Sequence, residues 1–393
     1  MKILYHHRIR SKDGQFVHIS ELVAAFERRG TQVVMCGPRA TEQAEFGDDG
    51  GMVAKLKRWL PQVLYELMEI AYGWFAVWRL WAAVRREQPD AIYERYNLYA
   101  PAGALVRKLI GIPLILEVNA PLADERARHD GLGLPKLARA FERWTWRSAD
   151  AVIVVTEVLG QSVVAAGVPR AKIHVMPNGI DLAHYAPTAS RAAAKAARGW
   201  QDTLVLGFVG FVRPWHGLAA VIEWLAALQR RDVMLVIAGD APHVQELLAL
   251  AERLEIQSQV VPLGLVARAA MPGLLQSFDV ALQPAAVPYA SPLKLVEYMA
   301  AGCAIVAPDQ PNIREVVADE RTALLFGQGG MALAIERLID DAALRGQLGR
   351  NARQAVIAQN LTWDHNAGRV QGLIEALPAK RASKAASRAS QLN

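Results

Sequence analysis

Cysteine is almost missing from this chain, with Cys36 and Cys303 the only two among 393 residues. Each sits beside an apolar run that reads as a strand. Buried, inert thiols are therefore expected, with no disulfide framework and no Cys-x-x-Cys metal knuckle. No run of 18 uncharged apolar residues occurs, so no membrane-spanning helix is expected. The start MKILYHHRIR lacks the apolar stretch of a signal peptide, which makes a cytoplasmic protein the default expectation. Asp-x-Asp, His-x-x-x-His, Gly-x-Ser-x-Gly and a Walker glycine–lysine loop are all absent. Those gaps leave no metal site and no cofactor to expect. Strong charge is lacking too. Of the formal +6, Lys380, Arg381, Lys384 and Arg388 supply +4 from an acid-free tail. With no basic stripe of interleaved aromatics, nucleic-acid binding is not expected.

Hydrophobic residues are plentiful, at 52% of the chain, and the length is too great for one ordinary core. Short apolar runs alternate with helical patterns in both halves. Ile3–Tyr5, Gln32–Cys36, Ala91–Tyr93, Leu114–Glu117, Ala151–Val155 and Ile173–Met176 read as strands in the first. Leu204–Val209, Val233–Ala238, Val260–Pro262, Val280–Gln283, Ala304–Ala307 and Ala323–Phe326 read as strands in the second. Continuous apolar strands separated by helices predict parallel sheets covered on both faces, hence an α/β chain of two Rossmann-like domains. The expected boundaries are 1–186 and 202–361, joined by an Ala-rich linker at 187–201. A helix at 362–377 follows, crossing back to the first domain, and a disordered basic tail at 378–393.

Ligands of open parallel sheets bind beyond the carboxyl ends of the strands. The stretch SPLKLVEYMAAGCAIVAP at 291–308 is the most telling there. Ser291 and Pro292 open a helix that carries Lys294 and, one turn on, Glu297. Free amides at the helix start together with Lys294 suit a phosphate, and a carboxylate suits the vicinal hydroxyls of a ribose. A solvated ion pair is the commoner outcome of that spacing. A Pro-rich loop on one side and an apolar strand on the other favour a nucleotide clamp.

Four further loops qualify. Gly210–Gly217 places Arg213 and His216 at the same strand ends, where Arg213 can hold phosphate oxygens in a bidentate grip. A half-buried packing role for His216 is an equal alternative. Gly14 follows the first strand, either approaching a ligand or only making a helix-entry turn. Glu117-Val118-Asn119 ends a first-domain strand, where a substrate hydroxyl and local turn-making compete. Asp240 reads best as the cap of the next helix.

Taken in order, four segments resemble the family-four glycosyltransferases of the GT-B fold, group-1 type, over essentially the whole length. They are DGQFVHISELVAAFERRGTQVVM, VMPNGIDLAHYAP, LGFVGFVRPWHG and SPLKLVEYMAAGCAIVAP. The resemblance implies two parallel-sheet domains facing each other across a cleft. It also implies retaining transfer from a nucleotide-diphosphate sugar (a UDP- or GDP-sugar) to a saccharide or lipid-linked acceptor. Surface polysaccharide or glycolipid synthesis would be its setting. The donor would belong to the second domain and the acceptor to the first. By the same resemblance Arg213 and Lys294 hold the phosphates beside the Ser291–Pro292–Leu293 backbone. Glu297 meets the ribose, and Gly14, Gly210 and His216 line the donor, while Asn119 stands where the family often has a histidine. Tyr289 replaces the first glutamate of the family's Glu-x7-Glu, and His216 replaces a frequent lysine. A silent nucleotide-sugar binder and a nucleotide-sugar epimerase of the same architecture stay open. Last, Lys55–Arg86 carries six basic and two acidic residues with Trp59, Trp74, Trp78 and Trp81. Its tryptophans are expected to pack inward, with peripheral membrane contact as the alternative.

Overall fold

The computed structural model describes residues 1–9, 14–38, 59–129, 131–186 and 189–377. Ser11–Asp13 of the expected glycine loop, Lys55–Arg58, Pro187 and Thr188 of the linker, and the tail from Pro378 lie outside them. The chain divides into two units, one of Met1–Met176 with the residues from Asn366 on, the other of Pro177–His365.

The first unit holds a six-stranded sheet of order β2-β1-β3-β4-β5-β6. Its strands are β1 (Lys2–His6), β2 (Gln32–Cys36), β3 (Ala91–Arg95), β4 (Leu114–Val118), β5 (Ala151–Val154) and β6 (Ile173–Val175). Every pairing is parallel. The order reverses at β1, which lies between β2 and β3. Helix Trp363–Ala376 packs on this unit, where the Arg369 guanidinium donates to the Val175 carbonyl at 2.8 Å and Gln371 Nε2 to Thr31 Oγ1 at 2.6 Å.

The second unit repeats the plan with order β12-β11-β10-β7-β8-β9. Its strands are β7 (Leu204–Val209), β8 (Val233–Ala238), β9 (Val260–Gly264), β10 (Val280–Leu282), β11 (Ala304–Pro308) and β12 (Leu324–Phe326). Two apolar clusters cover the two faces of this sheet, and β8 and β11 are buried along their whole length, as all-parallel sheets demand. The reversal falls at β7, between β8 and β10. Within 187–201, Ser190 caps a short helix, Arg191–Ala196, whose Lys195 pairs with Asp279 at 2.7 Å. That stretch is built into the second unit.

Two local expectations are corrected. Asp240 is exposed and caps nothing, since helix Pro242–Arg253 begins with Ala241 at its N-cap and no side-chain bond. Of the tryptophans of helix Gln62–Glu87, Trp81 is half-buried, but Trp74 and Trp78 do not pack inward. Trp74 and Trp78 are 58% and 63% exposed, and Trp59 just ahead of the helix is 86% exposed. The buried side of that helix is made of Gly73, Ala76, Leu80, Ala83 and Val84, with Glu66. A Cβ on Gly73 would lie 2.3 Å from the Tyr99 carbonyl oxygen, so close backbone packing selects small residues inward and sends the bulky ones out. Among the described residues no helix is long and apolar enough to cross a membrane.

Candidate functional site

In the second unit the switch point at β7 and β10 collects the expected residues. Helix Leu293–Ala300 is anchored beneath it by buried Tyr298, whose hydroxyl accepts from the Val209 amide at 3.0 Å and donates to the Leu282 carbonyl at 3.3 Å. One bond reaches the end of β7 and the other the end of β10. The first turn of the helix, with Lys294, is thereby fixed over the gap where the strand order reverses.

Lys294 Nζ is buried without a hydrogen-bond partner and lies 3.9 Å from the centroid of the Phe208 ring. Burial drives its pKa down from 10.5 to about 7, against the opposing pull of the Glu297 carboxylate. An unpartnered ammonium out of water is costly, and an anion alongside would relieve it. Gly210 leaves the room: at its φ of +114°, a Cβ would meet Lys294 Nζ at 3.4 Å.

The loop after β7 brings the second cation. The exposed Arg213 lies with its guanidinium carbon 4.2 Å from the Phe211 ring centroid and 5.6 Å from that of Trp215. Stacking of this kind orients the planar fork and leaves its edge for a bidentate partner. The Arg213 amide donates to His216 Nδ1 at 3.1 Å, so that nitrogen is an acceptor and the ring is neutral. Burial lowers the His216 pKa to about 3, helped by Lys294, Arg213 and His243. His216 is thus uncharged and braces the loop through the Arg213 amide. The same positive field reports that Lys294 and Arg213 share one neighbourhood.

Two residues without an assigned role complete the arrangement. Asn178 Nδ2 donates to the Ser291 carbonyl at 2.6 Å, and the Asn178 amide to Ser291 Oγ at 3.2 Å. Tyr185 donates its hydroxyl to Glu297 Oε1 at 2.8 Å. Asn178 and Tyr185 thus hold the two ends of the Ser291–Glu297 element. Asn312, fully buried, donates to the Val287 and Ala290 carbonyls and pins the loop that leads into it. Tyr289 in that loop is half-buried.

Glu117 and Asn119 belong to the first unit, as does Gly14, which is exposed at the start of helix Gly14–Arg28. Glu117, next to last in β4, is fully buried and accepts from the Tyr93 hydroxyl, Arg95 Nη1 and Asn119 Nδ2, each at 2.5 Å, with His18 Nε2 at 3.1 Å. Burial pushes its carboxyl up. The His18 and Arg95 charges, with hydrogen bonds from His18 and Tyr93, outweigh that and hold it well below the usual carboxylate range. An acid this well satisfied is a fixture of the strand end, and the half-buried Asn119 is the member of the pair that can meet a substrate. Burial, with the nearby Asp279 charge, pushes the Cys303 thiol up to about 12, an inert state. Cys36 is half-buried and its thiol is also raised by burial. Among the described residues no group of three or more metal-ligating side chains assembles.

Comparison with known proteins accounts for both units. A glycosyl transferase 4-like domain model matches residues 13–179, and the glycosyl transferases group 1 model matches residues 190–355. A GDP-mannose-dependent alpha-mannosyltransferase of Mycolicibacterium smegmatis is 27% identical over 321 residues, covering 78% of this chain and 79% of its own. Anabaena HepE, solved with UDP-glucose, superposes with a TM-score of 0.74 at 21% identity, over 96% of this chain and 100% of that one. Sucrose-phosphate synthase of Thermosynechococcus elongatus gives 0.76 at 18% identity, over 95% and 98%.

Proposed function

The chain belongs to the group-1 glycosyltransferases of the GT-B fold, enzymes that draw on nucleotide-diphosphate sugars, and from that premise we propose how this one works. The donor diphosphate lies against Lys294 Nζ, the Arg213 guanidinium and the amides of Ser291–Leu293. Glu297, steadied by Tyr185, takes the ribose hydroxyls. The acceptor hydroxyl is met from the first unit, with Asn119 the contact. The donor is a UDP- or GDP-sugar, in keeping with the UDP-glucose held by HepE and the GDP-mannose named for the mycobacterial relative. We place the reaction in the cytoplasm, in the synthesis of a surface polysaccharide or glycolipid.

Transfer proceeds with retention. The bond from the anomeric carbon to the diphosphate breaks, and the acceptor oxygen bonds that carbon on the same face. The acceptor's proton passes to the departing phosphate oxygen, so no side chain need act as base. Barrier lowering comes from the charges that meet the growing negative charge on the diphosphate. The observation that carries this reading is the buried, unpartnered Lys294 Nζ at the switch point of the second sheet.

The test is nucleotide release from a panel of nucleotide sugars with and without acceptor. Lys294→Ala removes one charge-stabilising group, worth about 2.7–4 kcal/mol in such sites, so turnover should fall roughly one hundred- to one thousandfold. Near-normal turnover in that variant would remove Lys294 from the mechanism. Donor binding without release would identify a silent binder, and a changed sugar in the absence of acceptor an epimerase.

A further inference from the structure

Helix Gln62–Glu87 is turned inside out. Leu64, Leu67, Met68, Trp74, Phe75 and Trp78 recur at helical spacing on its solvent side, each 43% exposed or more. Glu66 and Glu69 point the other way, and Glu87, its last residue, is half-buried and paired with Lys2 and Arg86. Glu66 is fully buried, where it accepts from the Tyr99 hydroxyl and the Gly133 and Leu134 amides. Glu69 is half-buried and pairs with Arg126 at 2.6 Å. A water-facing helix has the opposite polarity.

The apolar surface continues onto a neighbouring helix. Trp74, Leu105, Leu137, Phe141 and Trp144 line a common furrow of about 330 Å³. Helix Pro135–Ser148 repeats the inversion, with Leu137 and Trp144 outside and its one carboxylate, Glu142, buried. Around this apolar surface lie exposed cations: Arg79, Arg85 and Arg86 on the first helix and Lys136, Arg139, Arg143 and Arg147 on the second. Of these, Arg139 is paired with Asp124 at 3.1 Å and Arg86 with Glu87 at 2.8 Å. No exposed carboxylate stands on either helix.

We propose that this face of the first unit docks on an anionic lipid bilayer, its tryptophans and leucines at the headgroup–acyl boundary and its cations on the lipid phosphates. An apolar face of this extent, rimmed by one sign of charge, is what an interfacial helix presents. Charge separates the bilayer from a second copy of the chain as occupant. Two copies meeting through this face would bring cation against cation, whereas anionic lipid neutralises them. The helix lies on the bilayer and does not enter it, since its 26 residues are long enough for a span but not apolar enough.

Flotation of the full chain on phosphatidylcholine vesicles, with and without phosphatidylglycerol, tests this. The protein should rise with the anionic vesicles and not the neutral ones, and bind less in 0.5 M NaCl, by screening. Trp74→Ser with Trp78→Ser should lower the bound fraction at least tenfold, and Arg79→Glu with Arg143→Glu likewise. These side chains are exposed, so far-ultraviolet circular dichroism should match the wild type. Donor hydrolysis without acceptor should also be unchanged, which keeps this result apart from the donor reading. Binding to neither vesicle overturns the proposal, as does undiminished binding by the tryptophan variant. So does a dimer in light scattering that the tryptophan variant dissociates while no vesicles are bound, since a second copy would then be the occupant.

Discussion

Binding of the donor should draw a proton from solution, and Lys294 should be its destination. With a pKa of about 7, this amine is half-deprotonated at neutrality while the site is empty. A phosphate about 4 Å away contributes about 4 kcal/mol at an effective dielectric of about 20, or about three pKa units, returning the group to the ordinary lysine range. Uptake should then be about 0.5 proton per donor at pH 7 and about 0.9 at pH 8. The same linkage weakens apparent affinity roughly fiftyfold between pH 7 and pH 9. A nucleotide sugar is the right titrant because its diphosphate has no terminal phosphate, the group that titrates near pH 6. Isothermal titration in two buffers of different ionisation enthalpy reads the proton count from the change in observed heat. Lys294→Met should abolish the buffer dependence, since His216 lies too low to titrate there. A wild-type heat independent of buffer at pH 8, or an unchanged dependence in Lys294→Met, refutes the reasoning.

Other substitutions probe the supports. Tyr185→Phe deletes the bond to Glu297 Oε1, worth about 1 kcal/mol, and should raise KM for the donor about fivefold with little change in kcat, measured by initial rates. Glu66→Ala strips the acceptor from three donors at the base of the exposed helix and should cost about 3 kcal/mol or more in urea unfolding. Glu142 is pushed up from 4.5 to about 7, chiefly by burial. Because its folded pKa is raised, the native state binds the extra proton, and stability is lost as pH rises from 4.5 through about 7. Glu142→Gln keeps the acceptor for Tyr96 and Ala123 without the charge, so it should raise Tm at pH 8 and leave it unchanged at pH 4, by calorimetry.

The strands were legible because a strand covered on both faces is apolar from end to end. Val233–Ala238 needed no periodicity to be recognised, and its observed limits are the same. Lys294 and Arg213 were legible as local chemistry, a cation on a first helical turn and an arginine in a strand-end loop. Their supports were not. Asn178 and Ser291 lie 113 positions apart, and Tyr185 and Glu297 112, so no local spacing signals either bond. The outward turn of Trp74 and Trp78 was missed for a different reason. Hydrophobicity says which side chains prefer burial, but the closeness of Gly73 to the Tyr99 backbone decides which ones fit. Sequence alone does not report that distance.

The knot at the end of β4 has a consequence for where a proton can travel. Ionised Glu117 accepts only, so the amide nitrogen of Asn119 must be the end turned toward it, and the carbonyl end is left for an incoming molecule. A carboxamide oxygen welcomes a hydroxyl hydrogen without the basicity to remove it. In the reaction proposed above, an alcohol steered there would be aimed but keep its hydrogen, giving it up only to whatever anion is being born on the other partner.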